Sequence, residues 1–535
     1  MRSRLNTYLP ILFALVLIAG ILIGNMLTPV STINTGNFQL KNYDKLNDAV
    51  SYIMKEYVDT LDREKLTEEG INGILENLDP HSQYIPAEMF HDVNDPLIGN
   101  FEGIGVQFRI EKDTILVVQT IPGGPSEKSG IFAGDRIVKI DDTLVAGVKF
   151  TDNDAMRKLK GKKGTRVKVG IFRRGLPNLI DFIITRDVIP TYSIDIAYMA
   201  EPTTGYIKLS KFSATTYDEF KKAVHELIDD GMTGLILDLR DNAGGYLQAA
   251  IDISDEFLPA DKLIVYTEGK NQPRESFFAT SKGSLENNKV VILIDEGSAS
   301  ASEIVAGAIQ DNDRGQIIGR RSFGKGLVQR QLDFPDGSAL RLTVARYYTP
   351  TGRCIQRPYK KGNGFEEYYA DHYQRLANGE LEQKDSIHLN DSLKYITPAG
   401  KVLYGGGGIM PDTFIPLDGD PQLKYYNKLL QGGLIFRFAF EYTDKNRNEL
   451  RSYSSFEEFN KQFSITSVLL EEFIAYAEKN GVERDNEGFQ YAKAKIITLL
   501  KAYISRNIYD DKGFYPIFLS IDQPFLEACN YLNNQ

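Results

Sequence analysis

The apolar residues of this chain form runs of different period, and each period predicts a different element. Residues 234–238 and 290–294 are short uninterrupted runs, which predict strands buried on both faces. Residues 106–110, 115–120, 137–140 and 166–173 read as further strands, and 337–350 alternates as one. Helical spacing appears at Leu46, Val50, Ile53, Met54 and Tyr57, at Ile71, Ile74 and Leu75, and across 153–159. It returns at Phe220, Val224, Leu227 and Ile228, behind a Thr216/Glu219 capping box, and at Phe489, Ala492, Ile496, Leu499, Leu500 and Tyr503. After the 290–294 run come Gly297-Ser298-Ala299-Ser300-Ala301-Ser302-Glu303 and an apolar helix pattern. A strand, a small-residue turn and a helix can present a serine where free backbone N–H groups face whatever it attacks. Ser300 and Glu303 equally fit a capping box, in which the serine only serves the helix's own donors.

An apolar heart at residues 9–27 sits in a chargeless stretch behind Arg2 and Arg4. As a helix it would cover about 28 Å, close to the hydrocarbon thickness of a bilayer. No A-x-A cleavage pattern follows it, so an uncleaved anchor with the arginines inside is expected over a cleaved signal peptide. Residues 31–39 are polar and small, as a linker would be.

Length predicts about three or four domains. The net charge of −10, without a basic tract, argues against a nucleic-acid partner. Two distant cysteines and five histidines without paired spacing build no metal site, and Gly405–Gly408 lacks the Lys-Ser/Thr of a phosphate loop. No metal and no cofactor are expected.

In Ser322-Phe323-Gly324-Lys325-Gly326-Leu327-Val328-Gln329, a lysine lies between glycines and apolar residues. Burial would lower its pKa until it could take a serine's proton, and Gln329 could orient the amine. The segments GSASASEIVAGAIQ (297–310) and FGKGLVQ (323–329) resemble signature blocks of the carboxyl-terminal processing proteases, serine peptidases with a Ser–Lys dyad. The resemblance implies Ser300 as nucleophile, Lys325 as base and Gln329 as supporting amide, with Ser298 and Ser302 as bystanders. Leu78-Asp79-Pro80-His81-Ser82 resembles another block, with His81 read as a turn residue. Asp238-Leu239-Arg240-Asp241-Asn242-Ala243-Gly244-Gly245 resembles the family's DLRxNxGG block, which implies that the amide of Gly244 or Gly245 shares an oxyanion hole with that of Ala301. Residues 337–350 and 408–412 resemble the family as well.

Gly103-Ile104-Gly105-Val106, leading into a strand, is similar to the carboxylate-binding loop of a PDZ domain, and Ala133-Gly134-Asp135-Arg136-Ile137 to its companion motif. Such a loop holds a chain-end carboxylate while the adjacent strand edge pairs with the peptide.

The expected architecture is multidomain α/β: a membrane anchor at 1–28, a linker and helical region at 29–99, a PDZ domain at 100–187, and a protease core of the ClpP/crotonase-like type at 188–417. The core carries an insertion at 359–401, and a helical extension follows at 418–535. The expected function is a serine endopeptidase of the cell envelope, extracytoplasmic and membrane-anchored, acting on protein substrates with accessible carboxyl-terminal tails. A homo-oligomer or an adaptor partner is compatible with it. Its rivals are a non-catalytic PDZ scaffold and a lipid- or retinoid-binding relative of the same core fold.

Overall fold

The computed structural model describes residues 44–359 and 364–534. The chain divides after Gly70 into two compact units. In the first, helix α1 (Lys45–Glu56) is capped by the Asp44 carboxylate, which accepts from the Asn47 N–H at 3.1 Å. Helix α2 (Arg63–Leu75) begins there on Asp62, which accepts from the Glu64 N–H. The expected anchor at 1–28 lies outside the described residues; among those described, no helix is long and apolar enough to cross a membrane.

The second unit opens with a turn in which Asp79 accepts from the backbone N–H groups of His81 and Ser82. Strand β1 (Gln83–Ile85) and helix α3 (Phe90–Ile98) follow, and α3 stops at Gly99, whose φ of +87° suits glycine. Strand β2 (Asn100–Gly103) leads into a β-rich domain. Its elements are β3 (Val106–Ile110), β4 (Ile115–Thr120), α4 (Pro125–Ser129), β5 (Arg136–Ile140), β6 (Thr143–Leu144), α5 (Asp152–Leu159), β7 (Arg166–Phe172) and β8 (Ile180–Thr185). Strand β9 (Asp187–Pro190) pairs antiparallel with β2 and closes the domain as a two-stranded stalk. Ile104, Ile115, Ile137, Val169 and Ile184 fill its core.

The chain continues through β10 (Ile194–Glu201), β11 (Thr204–Leu209), helix α6 (Thr216–Asp229), β12 (Gly234–Asp238), helix α7 (Leu247–Asp255), the hairpin β13 (Leu263–Gly269) and β14 (Gln272–Phe278), and β15 (Lys289–Ile294). After β15 come helix α8 (Ala301–Asp311), β16 (Gln316–Gly319), the hairpin β17 (Leu327–Asp333) and β18 (Ala339–Tyr348), helix α9 (Gly364–Ala377), the small hairpin β19 (Lys394–Ile396) and β20 (Val402–Tyr404), and β21 (Thr413–Phe414). The central sheet runs β10-β11-β12-β15-β16-β21, parallel except for β10. Its two central strands are apolar over residues 235–237 and 290–294, where both faces are covered. Leu235, Leu237, Val290, Ile292 and Ile294 pack toward α6, α7 and α8, while Ile236, Val291 and Leu293 face the other way. A second sheet contains β1-β18-β13-β14 with β17 on β18, so the Asp79–Ser82 turn is delivered to the sheet that follows the lysine block.

The expected Thr216/Glu219 capping box is not formed. The helix starts one residue too early for it, with Thr215 as N-cap, and the Glu219 carboxylate accepts from the Ser193 N–H at 2.7 Å and from Thr215 Oγ1 at 2.7 Å.

Five further helices, α10 (Lys424–Gln431), α11 (Leu434–Leu450), α12 (Phe456–Gln462), α13 (Ser467–Lys479) and α14 (Asn486–Phe518), form their own core around Leu429, Phe459, Phe473, Ile496 and Leu500. Helix α15 (Gln523–Asn533) then lays Phe525, Ala528 and Leu532 on the second face of the central sheet, and Asp522 at its N-cap pairs with Arg240 at 2.9 Å. The same extension grips the β-rich domain. Asp444 on α11 lies 3.8 Å from Arg136 and 3.6 Å from Arg174, and the Arg109 guanidinium on β3 sits 4.5 Å from the Phe436 ring.

Candidate active site

Strand β15 ends at Ile294, and the turn after it, which begins with Asp295, is welded to the loop after β12. The Asp295 carboxylate accepts from the N–H groups of Asp241 at 2.9 Å and Gly297 at 3.0 Å. Ser298 Oγ donates to the Leu239 carbonyl at 2.8 Å, and Ser302 Oγ to the Asn242 carbonyl at 2.8 Å. Ser298 and Ser302 are fully buried, whereas Ser300 lines an open cleft of about 590 Å³. Ser300 has φ +54° and ψ −111°, a strained conformation for a residue with a side chain. It is the geometry of a strand-to-helix turn that pushes its middle residue outward.

The glycine block supplies backbone against that serine. A Cβ at Gly244 (φ +93°) would meet Ala301 N at 2.8 Å and Ser300 Cβ at 2.8 Å, so only glycine fits. The Gly244 N–H is already used, donating to Asn242 Oδ1 at 2.9 Å. The N–H groups of Gly245 and Ala301, in contrast, have no protein acceptor among the described residues.

Lys325 lines the same cleft, and burial is the main cause that pushes its pKa below the ordinary lysine value. The Arg341 charge lowers it further, against opposing pulls from Glu303 and Asp79. Lys325 Nζ donates to Gln329 Oε1 at 3.2 Å, and Gln329 Nε2 donates to the carbonyl of His81. That second bond fixes which way the amide points. His81 is a turn residue, as expected, but its ring is buried against Tyr368, with centroids 4.9 Å apart.

Glu303 is the residue whose part the sequence conceals. Wholly buried, it accepts from the N–H of Ser300 at 2.8 Å, as a capping box requires. It also accepts from Ser322 Oγ at 2.5 Å and from the N–H groups of Gly324 at 2.7 Å and Lys325 at 2.9 Å. Burial pushes its pKa up, and these bonds to its charged form pull against that. Tyr347, also buried, completes the link, since its hydroxyl reaches the carbonyls of both Ser300 and Lys325.

The 359–401 insertion braces the lysine block from behind. Arg375 on α9 donates to the carbonyls of Ser322 at 3.1 Å and Arg321 at 2.9 Å, and the Arg357 guanidinium lies between the rings of Phe323 and Tyr368. The only signal for this in the sequence is a polar, aromatic stretch.

In the β-rich domain, Gly103 ends β2, Ile104 is buried, Gly105 has φ +74° and Val106 begins β3. The Ile104 carbonyl accepts from the Ser126 N–H at 3.0 Å and that of Gly105 from the Ile121 N–H at 3.0 Å, so the loop's acceptors are turned inward. Among the described residues strand β3 pairs only with β4, which leaves its outer edge available to an added strand.

This combination of a PDZ domain and a serine-bearing α/β core is that of a serine-type peptidase. A family model for peptidase family S41 matches residues 203–362, one for the PDZ domain matches 103–182, one for the N-terminal domain of the activating protease CtpB matches 27–89, and a family of unknown function matches 425–510. The carboxy-terminal-processing protease of Bartonella bacilliformis is 39% identical over 63% of this chain and 79% of its own length. The carboxy-terminal processing protease CtpA of Bacillus subtilis is 37% identical over 60% of this chain and 67% of its own. A solved structure described as photosystem II D1 C-terminal processing protease is 25% identical, covering 70% of this chain and 87% of that one, with a TM-score of 0.35. The chain belongs to the carboxy-terminal processing protease family.

Proposed function

We propose that this peptidase cleaves with a Ser300–Lys325 dyad. What carries the reading is that Ser300 and Lys325 open into one cleft while a single buried carboxylate, Glu303, holds the backbone of both. Neutral Lys325 takes the Ser300 proton as Oγ bonds to the scissile carbonyl carbon. The carbonyl oxygen becomes an oxyanion facing the N–H groups of Gly245 and Ala301; of the two glycines, Gly245 is favoured because the Gly244 N–H is spent on Asn242. The Lys325 ammonium returns its proton to the departing amine as the C–N bond breaks. Lys325 Nζ, neutral again, then takes a proton from water as its oxygen bonds to the acyl carbon, and passes that proton to Ser300 Oγ as the ester C–O bond breaks. Gln329 keeps the amine aimed, itself held through the His81 carbonyl.

In the same reading the Gly103-Ile104-Gly105-Val106 loop holds the terminal carboxylate of a substrate whose tail pairs with β3. The core is of the ClpP/crotonase-like type, residues 9–27 anchor the enzyme, and the catalytic part works outside the cytoplasmic membrane, alone, as a homo-oligomer or with an adaptor. The decisive experiment compares an unstructured substrate with a free carboxyl end against the same chain amidated. The free end should be cut faster below saturation, and neither should be cut by Ser300→Ala. Turnover by that variant, or equal rates for the two ends, contradicts the reading.

A further inference from the structure

We infer that Arg341 forms a carboxylate-binding subsite in the cleavage cleft, recognising an anionic group of the substrate chain close to the scissile bond. Arg341 lies on β18 opposite Gln331 of β17, and Thr343 lies opposite Gln329. Residues two apart on a strand share a face, so Gln329, Gln331 and Arg341 all project into the cleft that Ser300 and Lys325 open into. One such step is about 6.6 Å, the length of about two residues of extended substrate. The guanidinium therefore stands within about three residues of the bond that Lys325 and Gln329 attend.

Its partners leave it unbalanced. Nη2 donates to Asn94 Oδ1 at 3.1 Å and to Gln331 Oε1 at 2.9 Å, and both acceptors are neutral amides. Among the described residues no carboxylate lies within ion-pair distance, and Nε and Nη1 have no protein acceptor. Three other enclosed arginines are matched by carboxylates, Arg353 by Asp311 at 2.6 Å, Arg240 by Asp238 at 2.6 Å and Arg320 by Glu296 at 2.7 Å, while the Arg314 guanidinium is spent on the backbone carbonyls of Phe257, Leu285 and Asn288. A half-buried cation held in place by two amides, with donors to spare and no counter-charge, is built for a carboxylate that arrives with the ligand. Burial already pulls its pKa down, which is the strain that such a ligand relieves.

The inference rests on the cleft being where cleavage occurs, so the test separates the two. Peptides amidated at the carboxyl end, and so without the group that the PDZ loop would hold, carry Glu, Gln or Lys at each of the four positions on either side of the cut. Loss of all cleavage in Ser300→Ala checks the cleft itself. The subsite is read from the ratio of kcat/KM for each Glu/Gln pair, which cancels any effect of the variant on Lys325. One position should favour Glu by about tenfold, falling to parity in Arg341→Gln and inverting toward Lys in Arg341→Glu. A second pair, free acid against amide with the cut placed close to the end, tells an acidic side chain from a chain-end carboxylate. An advantage of either kind that disappears in Arg341→Gln supports the subsite. No such advantage in the unmodified enzyme, or one that survives in Arg341→Gln, overturns it.

Discussion

The backbone N–H groups of Ser300 and Lys325 donate to the same atom, Oε2 of Glu303, at 2.8 and 2.9 Å. The Tyr347 hydroxyl meets the carbonyls of the same two residues. The serine and the lysine therefore cannot move apart without breaking bonds at one shared, buried carboxylate. In the proposed mechanism this fixes the separation of nucleophile and base before substrate arrives, which is where preorganisation has its largest effect.

Glu303→Gln should thus harm more than a helix cap would. An amide offers one acceptor oxygen and an NH2 that would confront donors now bound to the second oxygen, Oε2. We expect a stability loss of about 1–3 kcal/mol, the usual cost of stranding a buried donor. Activity per folded molecule should fall by on the order of 100-fold or more, since misplacing reacting groups by about 1 Å has that effect. Thermal melts with active-site titration check it; a loss of stability alone would reduce Glu303 to a cap.

Ser300→Ala and Lys325→Ala should each lower kcat by on the order of 10⁴-fold or more, while a lost cap would cost only about 1 kcal/mol. Mass-spectrometric detection of cleavage with purified variants, beside their melting curves, separates the two cases. Residual turnover within tenfold of the unmodified enzyme would remove the dyad.

The pH profile should rise with pH, because the base must lose its proton to act, and its midpoint should fall below the ordinary lysine value. The neighbouring His81 is held down to about 3, first by burial and then by the Lys325 charge, so it contributes no step between pH 5 and 8. Arg341→Gln removes a like charge from Lys325 and should move the rise to higher pH. A midpoint that stays fixed in that variant would disconnect the two side chains.

Asp444→Ala should loosen the PDZ domain without unfolding the protease core. It removes the carboxylate beside Arg136 and Arg174, which a Cβ at Gly134 would approach to 2.7 Å. Hydrogen exchange should quicken in residues 130–136 and on β3 and stay unchanged in α8 and β15. Uniform acceleration would mean that α11 supports the whole molecule instead.

The strand, turn and helix around Ser300 were legible because each rests on local pattern: the observed elements are Lys289–Ile294 and Ala301–Asp311. Glu303 was legible only as a cap, since the bonds that give it its larger part come from Gly324 and Lys325, which no helical period connects to it. His81 is the extreme case. What reaches Gln329 is its carbonyl, a group present in every residue and therefore invisible in a sequence. The capping box expected at Thr216 failed because Thr215 competes for the same place and Ser193, far along the chain, claims Glu219. The Asp522–Arg240 pair, like the grip of α11 on the PDZ domain, joins segments too distant for any window to link.

The position of α15 bears on how the molecule is made. Ile236, Val291 and Ile318 lie on strands that leave the ribosome early, but Phe525, Ala528 and Leu532, which cover them, leave it late. At about 5–20 residues per second, the roughly 200 residues between Ile318 and Phe525 take about 10–40 s to synthesise. Through that interval the sheet can have only one of its two apolar faces closed. A product truncated before Phe525 would leave Ile236, Val291 and Ile318 without the cover of Phe525, Ala528 and Leu532.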